Sequence, residues 1–187
     1  MKNSTYIMCF ILCFGISTGI FFETLMSDDI KLSMQQYLSL ILQSLEMQAF
    51  SITTIAGGLF MNVAAILLIC ISSCSIACAP TSALIFFVKG MSLGYCCALI
   101  LETLGASGVI DILVTILPQN LLLLPALLFG SNLALSTYSS KRKKAPGSKL
   151  SILEPEYLCV FLILTIIIAV SCFVQLALMP LASRFIM

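Results

Sequence analysis

Stretches of about twenty residues with almost no charge recur along this chain, and they restrict it to one kind of solvent. The runs lie at about 6–25, 59–79, 81–101, 109–138 and 157–179. A bilayer core of about 30 Å takes roughly 20 apolar residues of helix to cross. In lipid each backbone N–H and C=O must be paired inside the protein, so such runs cross as helices. Composition agrees: the chain is 60% hydrophobic and 9% charged, against about 45–50% and about 25% in soluble domains. The expected fold is therefore all-α, a polytopic integral membrane protein forming a single membrane domain over residues 1–187. About five transmembrane helices and one external amphipathic helix are expected.

Residues 28–48 break the pattern. Met34, Tyr37, Leu38, Ile41, Leu42 and Leu45 recur at helical spacing, with Gln35, Gln36, Ser39, Gln43 and Glu46 between them. That period describes an amphipathic helix on the membrane surface or docked on a partner. Asp28 and Asp29 sit where an N-cap and a favourable dipole contact belong. The first run could also be read as a cleaved signal peptide, but no small-residue cleavage pattern follows it. Gly15 and Gly19 form a GxxxG suited to close helix contact, which favours a retained helix. Gly90, Gly94 and Ala98 make a similar small-residue face in the third span, and Gly105 and Gly108 mark a turn after it.

The fourth run is too long for a simple span. Thirty helical residues reach about 45 Å, and Pro118-Gln119-Asn120, followed by Pro125, interrupts them. A kinked helix, or an interfacial helix turning into a span, fits better than a re-entrant loop. Lys141, Arg142, Lys143, Lys144 and Lys149 cluster between the fourth and fifth runs. The positive-inside rule places that loop in the cytoplasm, with the N-terminus inside and both the 28–48 helix and the C-terminus outside. The cluster could also attract anionic lipid.

Several classes of chemistry are excluded. Net charge is +1, which gives no basis for nucleic-acid binding. The chain has no histidine, which removes His-based acid–base catalysis, Ser-His and Cys-His pairs, and His-ligated metal. No carboxylate pair, activated nucleophile or phosphate-binding glycine loop occurs, so no catalytic residue and no cofactor are expected. Of nine cysteines, Cys70, Cys74 and Cys78 fall at fourfold spacing on what reads as one helical face. A thiolate metal site is the sharper interpretation of that face; small soft residues packing between helices is the simpler one, and no metal is expected.

Polar residues within the apolar runs are the candidate sites. Lys89 lies near the middle of its span, where an ionisable group is costly and points to function by default. The structural alternative, in which it bonds free carbonyls or snorkels, is favoured over transport. Glu102 and Asp111 are its candidate carboxylates, but Glu102 is about 20 Å farther along a helix, too far for a direct pair. Gln119 and Asn120 could line a polar cavity or bond backbone groups left unpaired by Pro118 and Pro125, and Asn62 could join them. No internal repeat of the transporter kind is present. A small transporter or channel component using Lys89 and the Gln119–Asn120 break remains the alternative function.

Taken together, these positions resemble the stage II sporulation protein M family over nearly the whole chain. The resemblance rests on Gly15-x-x-x-Gly19, Asn62 opening the second span, and Phe87-Val88-Lys89-Gly90-x-x-x-Gly94. Its most specific piece is Leu117-Pro118-Gln119-Asn120-Leu121-Leu122-Leu123-Leu124-Pro125-Ala126-Leu127, which looks like the sporulation branch. Wider relatives carry Asn-Gly where this chain has Lys89-Gly90, and Pro-His-Gly-x-x-Glu-Leu-Pro-Ala across positions 118 to 126. Gln119, Asn120 and Leu123 replace the His, Gly and Glu, so chemistry served by those groups cannot occur here. The resemblance implies a non-enzymatic membrane scaffold acting in the mother cell during forespore engulfment. Its implied partners are the cell-wall hydrolases stage II sporulation proteins D and P, held at the septal and engulfing membrane for peptidoglycan remodelling. The lipid bilayer is the other partner, and assembly as a homo-oligomer is left open.

Overall fold

A computed structural model describes residues 2–46, 52–73, 78–143 and 155–186. Among them the regular structure is helical throughout: α1 Lys2–Thr24, α2 Asp28–Glu46, α3 Ile52–Ser72, α4 Cys78–Leu104, α5 Ala106–Asp111, a π-helical turn Ile112–Ile116, α6 Leu117–Lys143 and α7 Pro155–Ile186. Four stretches are long and apolar enough to cross a membrane, namely Ser4–Thr24, Cys78–Leu104, Leu117–Ser139 and Glu156–Gln175. The apolar part of α3, Gly57–Ser72, is shorter and packs among them. The chain is a multi-pass membrane protein.

Paired contacts fix the direction of each helix. Gly15 meets Gly90 and Gly19 meets Met91 and Tyr95, so α1 and α4 run parallel. Asn132 donates to Thr5 Oγ1 at 3.0 Å, while Ile16 and Asn120 line one groove, so α6 runs antiparallel to α1. Tyr157 donates to the Cys70 carbonyl at 3.2 Å, and Asn62 meets Cys172, so α7 is antiparallel to α3. Gly130 against Leu164 and Phe161, with Gln119 beside Cys172, sets α6 antiparallel to α7. Because α1 and α4 end on the same side of the bundle, the chain must return between them, and α3 makes that crossing. Five helices alternating in direction satisfy all of these contacts.

The α1–α4 pair is the tightest seam. A methyl group built on Gly15 would lie 2.5 Å from the Phe87 carbonyl oxygen, and methyls on Gly19, Gly90 and Gly94 would also run into backbone of the facing helix. Hydrocarbon is as apolar as a leucine side chain, so helices gain little by hiding from lipid. Dispersion between closely approaching backbones, together with weak Cα–H···O contacts, holds them instead. Phe14 on Phe87, at 6.0 Å between ring centroids, flanks this seam. A second core forms where α3, α6 and α7 meet, around Ile66, Ile69, Leu123, Leu127 and Ile168. Phe10, Phe129 and Ile166 point outward, as lipid-facing side chains do.

Some sequence expectations shift. The second run reads as 59–79, but α3 ends at Ser72, where the Ser72 and Ser73 hydroxyls turn back on the Ile69 and Cys70 carbonyls, each at 2.8 Å. Pro80 consequently lies in the first turn of α4, where its missing N–H leaves no bond unmade. Cys70 and Cys78 therefore belong to different helices and share no single face; Cys74 lies outside the described residues. The division expected at Pro118 comes just before it, as a π turn over Ile112–Ile116, a helical bulge rather than an interruption. Gly105 supplies the turn after α4 with φ 59°, whereas Gly108 is helical and sits 2.8 Å (methyl position to oxygen) from the Ile100 carbonyl. Lys144 and Lys149 lie outside the described residues, while positions 141–143 close α6.

Candidate functional site

Three helices bring Asn62, Lys89 and Gln119 to one point inside the bundle. Lys89 on α4 donates its ammonium to the Asn62 side-chain oxygen on α3. The Asn62 amide nitrogen reaches Cys172 Sγ on α7 at 3.5 Å, and Gln119 Nε2 on α6 reaches the same sulfur at 3.6 Å. Asn62 is 4% exposed, so its pairing with Lys89 is shielded from competing water. The sulfur is a weak acceptor, yet it receives both amides and ties α3, α6 and α7 together.

Asn120 does something different. Its Nδ2 donates back to the Ile116 carbonyl at 2.8 Å, one turn earlier, across the junction where the π turn passes into α6. Pro118, in the first turn of α6, has no N–H to give there, and the wider π turn absorbs that gap. Pro125 lies inside α6 and likewise removes one i→i−4 bond. Gln119 thus serves the inter-helix network and Asn120 the backbone of its own helix.

The network borders a cavity of about 290 Å³ whose polar lining is Asn62, Lys89, Ser92, Gln119, Asn120 and Gln175. Leu93, Ile116 and Asn120 also line an apolar groove of about 430 Å³ on the α1 side of the α4–α6 contact. Gly90 and Gly94 stand apart from the cavity: they face α1 and let α4 come close enough to it.

A second polar cluster closes the other end of the α1–α4 pair. Lys31 on α2 lies 3.4 Å from Glu23 Oε1 and 3.6 Å from Glu102 Oε1. The Glu23 side chain is 5% exposed and that of Lys31 17%, while Glu102 at 41% reaches outward. Burial pulls the Lys31 ammonium down, but Glu23 and Glu102 together outweigh it and hold it above the ordinary lysine value. One lysine of α2 thereby clamps the ends of α1 and α4. Glu102 is engaged here, not with Lys89.

This clamp sets the roll of α2. The helix starts from Ser27, whose carbonyl accepts from the Ile30 and Lys31 N–H groups at 3.0 and 3.1 Å, so Ser27 holds the N-cap position expected of Asp28 or Asp29. With Lys31 and Gln35 turned toward the bundle, Ile30, Met34 and Tyr37 are exposed. The side chains of Leu38, Ile41, Leu42 and Leu45 lie outside the described residues.

Sequence reasoning singles out Asn62, Lys89, Gln119 and Asn120 but misses Cys172 and the Glu23–Lys31–Glu102 clamp. A cysteine in an apolar run carries no distinguishing signal. Glu23 does carry one, as a carboxylate at the very end of an apolar span.

The family model of stage II sporulation protein M matches residues 8–175. No curated protein and no solved structure gives a significant match to the chain.

Proposed function

Because the chain belongs to the stage II sporulation protein M family, whose members are sporulation-associated membrane proteins, we propose that it is a non-enzymatic scaffold of the peptidoglycan-remodelling complex that drives forespore engulfment. It recruits and positions membrane-anchored cell-wall hydrolases, stage II sporulation proteins D and P, at the septal and engulfing membrane of the mother cell. Its N-terminus lies in the cytoplasm and its C-terminus outside, which follows from the basic residues at the end of α6. Helix α2 then lies on the outer surface, on the same side as the wall.

The observation that carries this reading is the roll of α2. Lys31 reaches in to Glu23 and Glu102, and Ile30, Met34 and Tyr37 are exposed beside it, as are Leu32 and Leu40 farther round the helix. An apolar stripe at i, i+4, i+7 on a fixed helix is the arrangement by which a partner helix or groove is engaged. Peptidoglycan cleavage belongs to the partners; this chain contributes position.

Co-purification from sporulating cells tests the assignment. Membrane-anchored wall hydrolases should be retained by the wild type and lost with Met34→Glu/Tyr37→Glu, which charges the stripe without touching the clamp. A wild type that retains no hydrolase refutes the scaffold reading. Full retention by the double variant removes α2 as the contact.

A further inference from the structure

Among the described residues no carboxylate pairs with Lys89. Its one hydrogen-bond partner among the described residues is the neutral Asn62, and the cavity around it is lined by no carboxylate. Each amide of the lining offers an N–H side as well as an oxygen, and that of Asn120 is already given to the Ile116 carbonyl. The amide N–H groups of Asn62 and Gln119 are spent on a thiol sulfur, at 3.5 and 3.6 Å, although an oxygen would be the far stronger acceptor. Ser92 and Gln175 add further polar groups at the rim. Space is present as well: about 290 Å³ is close to the small end of ligand-sized clefts, which run about 300–1,000 Å³.

The cavity also has a door. Gly58 and Met61 of α3 and Ser92 and Cys96 of α4 line it and are exposed on the outer surface of the bundle. They occupy the part of α3 and α4 between Lys89 and the Glu23–Lys31–Glu102 end, at a depth where the surroundings are lipid. A charge there is expensive unless it is paired. A ligand that brings a negative charge and several acceptor oxygens would neutralise Lys89 and give the amides of Asn62 and Gln119 better partners than Cys172.

We propose that the Asn62–Lys89–Gln119 cavity binds a phosphate-class oxyanion, carried on the headgroup of an anionic lipid that enters between α3 and α4 or taken up as the free ion. The site is independent of the scaffold reading, since it lies away from the exposed stripe of α2 and requires no hydrolase.

The full chain, purified and placed in nanodiscs, separates the two sources. One arm compares nanodiscs of phosphatidylcholine alone with nanodiscs containing phosphatidylglycerol; the other titrates inorganic phosphate into phosphatidylcholine nanodiscs. The readouts are thermal unfolding and the lipid retained in native mass spectrometry. Removal of the charge-assisted hydrogen bond from the ammonium in Lys89→Met should weaken apparent affinity about tenfold or more. Anionic lipid bound by the basic end of α6 is common to both proteins and cancels in the comparison. Stabilisation by phosphatidylglycerol but not by inorganic phosphate, abolished in Lys89→Met, identifies a lipid; stabilisation by inorganic phosphate that is likewise abolished in Lys89→Met identifies the free ion, since the general salting effect of phosphate is common to both proteins. Equal responses of wild type and Lys89→Met in both arms overturn the proposal. Should Lys89→Met fail to fold, Gln119→Leu, which keeps the charge and removes an amide donor, carries the same comparison with a smaller expected loss.

Discussion

Gly94→Ala is a one-methyl perturbation with a calculable consequence. The new Cβ would meet the Ile16 carbonyl group of α1, 2.9 Å from its carbon and 3.0 Å from the Ile16 Cα, where unstrained carbon contacts sit at about 3.5–4.0 Å. The obstructing atoms are backbone, so no rotamer change relieves the overlap. The helices must part by roughly 1 Å, which forfeits about a quarter to a half of each dispersion contact along the seam. Overpacking of this kind costs about 1–3 kcal/mol, partly masked by the gain of up to about 1 kcal/mol when alanine replaces a helical glycine. Gly57→Ala supplies the reference, because a methyl there meets nothing within 4 Å and only the propensity gain remains. In reversible unfolding by SDS titrated into mild detergent, Gly94→Ala should therefore be about 1–3 kcal/mol less stable than Gly57→Ala. Gly19→Ala should behave alike, and the double variant Gly19→Ala/Gly94→Ala should lose less than the sum, since helices already parted accommodate a second methyl. Equal stability of Gly94→Ala and Gly57→Ala would show that the backbones do not touch at this seam.

Other expectations concern the polar groups. Asn62→Leu leaves the Lys89 ammonium without its acceptor and should destabilise by about 1.5–3 kcal/mol, whereas adding Lys89→Met should recover most of that loss; a double-mutant cycle with no coupling would refute the pairing. Thr5→Val removes the acceptor for Asn132 between α1 and α6 and should cost about 0.6 kcal/mol in the same unfolding assay. Lys31→Met should release α2 and expose the 25–27 turn to limited proteolysis. The pH profile of that protection follows from the sign of the shift. Lys31 binds its proton more tightly in the folded protein, so its contribution is complete below the unfolded lysine value of about 10.4 and is lost as pH rises through the higher folded value. Equal protection of the wild type and Lys31→Met at neutral pH would contradict the clamp.

Much of this molecule is legible from residue order because membranes impose simple rules. Length and apolarity reveal the spanning helices, and GxxxG spacing marks Gly15, Gly19, Gly90 and Gly94 as contact positions. Their pairing with each other is not legible, since spacing says that a face is narrow without saying what lies opposite. The same limit applies to the polar groups. Asn62, Lys89 and Gln119 are conspicuous one by one because each is costly in lipid, but their convergence depends on the directions of α3, α4 and α6. The Cys70–Cys78 periodicity misleads for a local reason: α3 ends at Ser72 and α4 begins at Cys78, within a stretch whose small residues leave hydropathy high. Hydropathy does not register such a turn. The distance between Glu23 and Glu102 in sequence hides their shared lysine altogether.

The glycine seam also bears on how the protein is made. Helix α1 leaves the ribosome well before α4, which carries the surface it matches, with α2 and α3 still to be synthesised between them. Until Gly90 and Gly94 arrive, the Gly15–Gly19 strip faces lipid or whatever insertion machinery receives it. The first helix thus waits unpaired through two intervening elements. Folding then closes by lateral docking of two upright helices already in the bilayer, and Lys31 can lock the pair only once Glu102 has emerged. Truncation before α4 leaves that strip without its partner, which makes the nascent chain, rather than the finished one, the species most in need of a chaperone.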